Sequence, residues 1–203
     1  MLLDFAAITA EQAYFVMIQA IVPRPIAWVL SDNGDGSHNL APFSFFTGVS
    51  SRPPILLISV GRKPDGTRKD TWVNIEERGE FVVHIAPREL AAPLVATSAT
   101  LAHGESEVSA TGLSTEPIEG FRLPRVVGPK LAMWCSRHEI IEVGDGPQGL
   151  ILGRVQAMYV DDGIVERQGG RIVINPKGLN PLARLGGSEY AALGEVFSMA
   201  RPK

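Results

Sequence analysis

The sequence predicts a mainly β protein, in which a few helices decorate an antiparallel barrel or sandwich. Two observations carry this prediction. Short β-rich runs separated by turn residues outnumber helical patterns, and they do not alternate with helices as a doubly wound fold requires. The 203 residues are 45% hydrophobic and 20% charged, which is enough to bury one substantial core. Because no linker or fixed-period repeat divides the chain, we expect one domain over residues 1–203.

The first predicted element is a short helix near the N-terminus. Thr9 stands where an N-cap belongs, Gln12 occupies the capping-box position, and the helical pattern ends before Pro23. The apolar face that we expect this helix to bury comprises Ala13, Val16, Met17 and Ala20.

A β-hairpin and a buried strand follow this helix. Residues 25–30 are rich in β-formers, Asn33-Gly34 and Asp35-Gly36 are strong turn dipeptides, and residues 38–46 can return as the partner strand. A small-residue loop then leads to PILLISV at residues 54–60. This apolar run is typical of a strand that is covered on both faces or closed into a barrel.

The rest of the chain continues with turns, short helices and strands. Gly79 is expected just after a helix, since glycine readily takes the αL conformation found there. The predicted segments in chain order are a polar turn at 61–67, a helix at about 71–78, a strand at about 80–86, a second helix at 87–99, a long excursion with little regular structure at 101–125, a hairpin-like pair of strands between 130 and 160, a strand at 171–174, and a tail that is loop with a late helical turn or two.

The composition argues against several functional classes. A formal net charge of −3 and a pI near 5.8 provide no basic field for nucleic acid. No uncharged apolar run reaches the length of about 18 residues that a membrane-spanning helix needs. Asp4 and Glu11 interrupt the N-terminal segment where a signal peptide would be basic and then apolar, so we expect a cytoplasmic protein. The lone Cys135 agrees with that compartment.

The common catalytic and metal motifs are missing from the sequence. Its four histidines have no tight ligand spacing, so we expect no metal site, and His84 and His138 lie in predicted strands where structural roles are commoner. There is no Gly-x-Ser-x-Gly nucleophile elbow of an esterase.

Two runs resemble functional motifs but are better explained as turns. Residues 144–149 match the letters of the dinucleotide fingerprint, yet a strand follows them where that motif would open a helix. Asp161-Asp162-Gly163 could be paired carboxylates, but it lies between two β-rich runs and carries the Asp-Gly turn signal.

Two stretches have the residue types of a ligand site. Lys69, Asp70 and Thr71 open a predicted helix, where free N–H groups, a cation and a hydroxyl could bind phosphate, with Asn74 one turn further. Alternatively, Asp70 only caps the helix while Lys69 and Asn74 face water. The second stretch has small and hydroxyl side chains that would let backbone groups approach a flat polar ring, although it could also be an ordinary loop. This stretch consists of Asn39, Leu40, Ala41, Pro42, Phe43 and Ser44, followed by Ser50 and Ser51.

Four runs occur in one order along the chain: PRPIAWV from Pro23, NLAPFSFFTGVSSRPP from Asn39, KDTWVNI from Lys69 and LARLGGSEYAALGEVF from Leu182. In this combination the sequence resembles the flavin reductase-like family of FMN-binding split barrels, in its flavoredoxin-like branch. The resemblance extends over residues 23–202. It implies a Greek-key split barrel that forms a homodimer, with FMN in a groove near the subunit interface.

The resemblance also implies roles for particular residues. Residues 39–44 with Ser50 and Ser51 would line the isoalloxazine and ribityl chain, mostly through backbone groups. Arg24, Lys69 and Thr71 would lie at the phosphate end, Asp70 and Asn74 beside them, while Arg184 and Tyr190 would close over a site, which could be the partner subunit's. No protein acid–base group is expected, because hydride transfer between nicotinamide and flavin is chemistry of the two cofactors.

The sequence departs from the wider family at one position. Many of these reductases carry Gly-Asp-His before a Gly-x-Val strand, whereas this chain has Gly144-Asp145-Gly146 before Gly153-Arg154-Val155. Three functions therefore stay open. The first is a flavin reductase that uses NADH or NADPH and passes electrons to free flavin or another acceptor. The others are an FMN electron carrier reduced by a protein partner, and a non-catalytic binding module.

Overall fold

A computed structural model describes residues 1–146 and 148–202 of the chain. The α-helices are α1 (Ala10–Ala20), α2 (Asp70–Arg78), α3 (Ala91–Ala96), α4 (Glu107–Thr111) and α5 (Pro176–Leu179), and short 3-10 segments occupy Phe5–Ala7, Arg88–Leu90 and Asp162–Ile164. The strands are β1 (Arg24–Pro25), β2 (Ala27–Asp32), β3 (His38–Phe43), β4 (Phe46–Ser51), β5 (Pro54–Val60), β6 (Glu80–His84), β7 (Thr115–Glu116), β8 (Arg125–Val126), β9 (Leu131–Val143), β10 (Gln148–Val160), β11 (Val165–Gln168), β12 (Arg171–Ile174), β13 (Ala183–Arg184) and β14 (Tyr190–Ala191).

The main sheet is an antiparallel barrel. Its seven strands follow the order β3-β2-β6-β9-β10-β5-β4, so β3 and β4 are the two edges. Only Ser44 and Phe45 join these edges, and three residue steps reach at most about 11 Å. A flat sheet of seven strands would be about 29 Å wide. The sheet must therefore curl until its edges nearly meet, which confirms the predicted β-barrel with decorating helices.

Strand β2 shows how the barrel buries apolar residues on both sides. Ala27 and Val29 belong to the core cluster inside the barrel, while Trp28 and Leu30 belong to a second cluster beneath α3 and the excursion before β9. All four side chains are fully buried. The excursion thus covers the outer face of the sheet, and β2 must be apolar at successive positions.

Local signals in the sequence located α1 and α2 well. The Thr9 Oγ1 accepts from the Gln12 N–H at 3.2 Å and the Gln12 Oε1 accepts from the Thr9 N–H at 2.9 Å, which confirms the capping box. Gly79 ends α2 with a φ of 77°, as predicted. The predicted buried face of α1 is wrong, because Ile18 is its buried residue and Met17 is 44% exposed.

Three segments differ from the sequence prediction. The expected small-residue loop contains strand β4, because pairing with the apolar strand β5 supplies the ladder that its small side chains do not signal. The helix predicted over 87–99 is a 3-10 turn followed by the short α3. The tail has its helical turn, α5, at its start, and β13 and β14 then join β1 in a three-stranded sheet.

Gly153 lies where β10 crosses the barrel interior, and replacing it with alanine should destabilise the fold. The added Cβ would lie 2.4 Å from the Phe81 Cζ and 3.3 Å from the Leu56 Cδ1. We expect a loss of about 1 to 3 kcal/mol in the free energy of unfolding, measured by urea denaturation. Gly48→Ala is the matched control, since its Cβ would meet nothing within 4 Å. Equal stability of the two variants would contradict this packing.

None of the helices in the described parts of the chain is long and apolar enough to cross a membrane.

Candidate functional site

A cleft lies between the edge strand β3, the N-terminus of α2 and the segment that follows α3. It brings together the two stretches with ligand-type residues, 39–44 on β3 and 69–71 at the start of α2, which begin thirty residues apart in the chain. The lining residues are Asn39, Ala41, Pro42, Phe43, Lys63, Lys69, Asp70, Thr71, Thr97, Ser98, Ala99, Thr100, Leu101 and Glu107.

Strand β3 presents its free edge on this side of the barrel. Backbone groups of alternate residues point away from β2, and at this edge Ser106 Oγ donates to the His38 carbonyl at 2.6 Å. Glu107 Oε2 accepts from the Leu40 N–H at 2.9 Å. Pro42 is the next residue after His38 and Leu40 whose backbone points away from β2. Proline has no N–H, so it leaves no unpaired donor at this edge. Pro42 lines the cleft, and its carbonyl has no donor in the described residues, so it remains an acceptor there.

The N-terminus of α2 supplies donors to the same cleft. The N–H groups of Asp70 and Thr71 have no partner within the described ranges, as expected for the first turn of a helix. The Asn39 Nδ2 donates to the Thr71 Oγ1 at 2.8 Å, so the fully buried Thr71 hydroxyl retains its own proton to donate. Two amides and one hydroxyl are thus available to an acceptor.

Lys69 adds a cation without a carboxylate partner. Its Nζ lies 5.7 Å from the centroid of the Phe43 ring, and no ion pair joins it to any acid in residues 1–146 or 148–202. Burial lowers the pKa of this ammonium. A half-buried cation that lacks a counter-ion beside a helix N-terminus has the electrostatics of an anion site.

The two acids that line the cleft, Asp70 and Glu107, already have hydrogen-bond partners within the protein. Asp70 is buried and accepts from Lys63 Nζ at 3.1 Å and from His103 Nδ1 at 2.6 Å. Burial raises the pKa of Glu107, although the hydrogen bond from Leu40 opposes this shift. Asp70 is the first helical residue and Lys69 takes the cap position without a side-chain cap, so the alternative role of Asp70 as the N-cap is not observed.

A second compartment adjoins the first and shares Pro42 and Ser98 with it. Arg184 and Tyr190 enter it from the tail, with the guanidinium carbon 4.4 Å from the Tyr190 ring centroid. The remaining lining residues are Ile26, Ser44 and Leu94. The tail residues therefore lie beside the site within the same chain, at the end remote from the N-terminus of α2.

Five predicted site residues line neither compartment. One of them is Leu40, whose side chain is buried in the second core cluster. Arg24 is buried and donates to the carbonyls of Ile18, Ile21 and Leu185, while its Nε–H reaches the Ser44 Oγ at 3.3 Å. It thereby holds Ser44 at the second compartment. The Asn74 Nδ2 donates to Asn33 Oδ1 at 3.0 Å and to Ser31 Oγ at 3.2 Å. Ser50 and Ser51 are exposed on the edge strand β4.

The motif-like runs have ordinary structural roles where they are described. Gly144, Asp145 and Gly146 turn between β9 and β10, and Pro147 lies outside the described residues. Asp161 Oδ1 accepts from the Gly163 N–H at 2.9 Å, which confirms a turn. No group of three His, Cys, Asp or Glu side chains in residues 1–146 and 148–202 could hold a metal ion.

Sequence reasoning missed the contribution of the excursion to the cleft. Ser106 and Glu107 stand in for a neighbouring strand by binding the backbone of β3. Thr97 packs below the cleft, where its Oγ1 accepts from the Trp28 Nε1 at 2.8 Å. Ser106 is a favourable N-cap residue and could have indicated the start of α4. No local signal in the sequence indicates that α4 packs on β3.

The chain belongs to the flavin reductase like domain family, whose match covers residues 19–179. Among solved structures, nitrilotriacetate monooxygenase component B from Bacillus cereus has a TM-score of 0.90 and 36% identity, over 98% of both chains. The 2-nitrobenzoate 2-nitroreductase NbaA of Pseudomonas fluorescens has a TM-score of 0.88 and 27% identity, over 100% of this chain and 96% of that chain. The family resemblance stated from the sequence is confirmed.

More distant structures share the fold alone. A split barrel domain from Shewanella frigidimarina NCIMB 400 has a TM-score of 0.85 at 20% identity, over 100% of both chains. Flavoredoxin of Desulfovibrio vulgaris (Miyazaki F) has a TM-score of 0.75 at 22% identity, over 98% of this chain and 97% of that chain. The predicted split barrel is therefore confirmed as the fold.

Proposed function

We propose that this chain is an FMN-binding oxidoreductase whose cofactor lies in the cleft between β3 and α2. The observation that carries the proposal is the donor set at one end of the cleft. It combines the unpaired Lys69 ammonium, the Thr71 hydroxyl and the free amides of Asp70 and Thr71. A phosphate monoester carries about −1.5 to −2 charge and three acceptor oxygens, which matches this set.

The wall of the cleft also suits the rest of FMN. The Pro42 carbonyl can accept from ribityl hydroxyls or from the ring N–H, and Ala41 adds little volume. Bound FMN would supply hydride and electron chemistry, so the side chains need only bind, orient and shield it. This agrees with a cleft whose two acids are occupied by Lys63, His103 and the Leu40 amide.

In this proposal NADH or NADPH reduces the flavin, and electrons pass to free flavin or another acceptor. The family and the activities named for two similar proteins support an oxidoreductase. One relative is a component of a monooxygenase and the other is a nitroreductase. An acceptor can therefore be a small molecule or a partner protein.

The test is a spectrum followed by an anaerobic titration. Protein mixed with FMN and freed of excess ligand should keep a yellow flavin spectrum, which should bleach on addition of NADH or NADPH. Protein that stays colourless and takes up no FMN would refute the assignment of the cleft. Bound FMN that neither nicotinamide bleaches would refute direct NAD(P)H use only.

An electron carrier reduced by a protein partner is the second candidate. It is favoured by Gly146, which stands where many reductases of this family have a histidine, at the turn between β9 and β10. A carrier would keep FMN and exchange electrons with reduced partner protein, but it would react only slowly with NAD(P)H. Rapid stoichiometric bleaching by either nicotinamide would exclude this candidate.

We also propose a homodimer, because α1 leaves large apolar side chains uncovered. Tyr14 and Phe15 are 54% and 47% exposed, and their rings lie 5.9 Å apart. Strand β4 offers a free edge on which Ser50 and Ser51 are exposed. A second copy that covers these surfaces would bury apolar area, and it would bring both serines to the interface.

Phe15→Glu should shift the protein from dimer to monomer, because a charge would then have to be buried at the interface. The mass in solution is measured by light scattering coupled to gel filtration. Ile172→Glu provides the control, since Ile172 is 66% exposed on β12, away from α1. A dimer that survives Phe15→Glu, or a monomeric parent protein, would exclude this interface.

A further inference from the structure

The second compartment has the chemistry of a ligand site that differs from the phosphate end. Part of its lining is apolar, namely Ile26, Pro42 and Leu94, and Tyr190 adds an aromatic ring. The compartment measures about 170 Å³. Flat apolar surfaces of this kind bind planar rings by dispersion and stacking.

Arg184 gives this compartment a cation that is free to bind. Its Nη2 donates to the Gly187 carbonyl, while its Nε–H and Nη1 groups donate to nothing in the described part of the chain. Among residues 1–146 and 148–202, no carboxylate forms an ion pair with Arg184 and none lines the compartment. The guanidinium carbon lies over the Tyr190 ring, 4.4 Å from its centroid, and this cation–π contact uses none of the N–H donors.

Neighbouring groups strengthen the preference for an anion. The buried Arg24 guanidinium binds the Ser44 Oγ, so the Ser44 hydroxyl keeps a proton that it can donate. The charge of Arg184 is felt at Arg24, whose pKa is lowered first by burial and further by that charge. Arg184 and the Ser44 hydroxyl therefore line the pocket, the Arg24 cation lies behind Ser44, and none of the lining residues in the described part of the chain is an acid.

We infer that this compartment binds a planar aromatic carboxylate, with its carboxylate on Arg184 and Ser44 and its ring against Tyr190, Pro42 and Leu94. The Nη2 donates one of its two hydrogens to Gly187, so one bidentate edge of the guanidinium remains, and such an edge matches a carboxylate in geometry and charge. The inference rests on the proposed function only in placing this ligand beside bound FMN. The compartment itself is formed without the cofactor.

Benzoate and its uncharged analogue benzamide are suitable probes. Each is titrated calorimetrically into the protein saturated with FMN and into protein freed of FMN, with difference spectra of the flavin recorded in the first case. We expect benzoate to bind at least tenfold more tightly than benzamide. Arg184→Gln should remove this preference, Arg184→Lys should retain part of it, and Tyr190→Leu should weaken both probes to a similar extent.

The outcomes separate this inference from the proposed function. Protein that takes up no FMN but still prefers benzoate through Arg184 would refute the cofactor proposal and support the compartment. Equal affinity for benzoate and benzamide, or a preference that survives Arg184→Gln, would overturn the inference. FMN affinity is measured for every variant, and a loss of FMN binding in Arg184→Gln without any benzoate preference in the parent would instead assign Arg184 to the cofactor.

Discussion

Replacing Lys69 with alanine is expected to weaken FMN binding by about 1.5 to 3 kcal/mol, or roughly ten- to 150-fold in Kd. The half-buried ammonium has no carboxylate partner in the described residues, so its charge is available to the phosphate. Quenching of flavin fluorescence on titration gives the Kd. Riboflavin lacks the phosphate, so its affinity should change little in the same variant.

Lys177→Ala is the matched control for this prediction. Lys177 is an exposed lysine on α5 that does not line the cleft, so its loss removes the same charge from the whole protein. FMN affinity should stay within about twofold in this variant, since an exposed charge beyond a Debye length is screened. An equal effect of both substitutions, or an equal loss of FMN and riboflavin binding by Lys69→Ala, would show that Lys69 does not bind the phosphate.

The second large effect concerns His84, which should make the fold sensitive to acid. His84 is fully buried, its Nδ1–H donates to the Trp28 carbonyl at 3.1 Å, and its Nε2 accepts from the Val126 N–H at 2.9 Å. Because both nitrogens are used by the neutral ring, protonation would break the bond from Val126. Burial lowers the pKa of His84 from 6.5 to about 4.

The sign of this effect follows from the two pKa values. Between pH 6.5 and 4 the unfolded chain binds a proton at His84 that the folded chain does not bind, so stability falls as the pH is lowered. The contribution is complete above pH 6.5 and levels off below pH 4. Unfolding in urea at pH 7.5 and 4.5 should therefore differ by about 2 to 3 kcal/mol from this residue alone.

A His84→Gln variant isolates the contribution of His84 from that of the carboxylates. It should be less stable at pH 7.5, because glutamine cannot reproduce both hydrogen bonds, but its stability should fall less between pH 7.5 and 4.5. The difference between the two pH dependences is the quantity attributed to His84. Parallel curves for parent and variant would mean that His84 titrates alike in the folded and unfolded chains.

Local signals predicted those parts of the fold that depend on neighbouring residues. The capping box at Thr9, the Asn-Gly turn of the first hairpin and Gly79 after α2 each specify a backbone conformation through contacts a few residues apart. The apolar run of β5 has its predicted bounds, since a strand packed on two faces has no polar side to alternate.

Long-range packing determined the parts that were missed. Strand β4 forms because β5 pairs with it, although its own residues read as a loop. Arg24 has the charge of a phosphate ligand, yet the end of α1 and the tail place backbone carbonyls around its guanidinium. A sequence reports the charge of a side chain but does not report which distant carbonyls will satisfy it.

The sequence by itself determined the family, the strand-rich class and the two stretches of ligand-type residues, because these depend on residue identity and order. Only the tertiary structure decided that Asn39 binds Thr71, that α4 supports the edge of β3, and that Arg184 and Tyr190 border the compartment beside the cleft. These contacts join residues 32 to more than 140 positions apart in the chain. Curling of the sheet brings them together, and no local propensity encodes that closure.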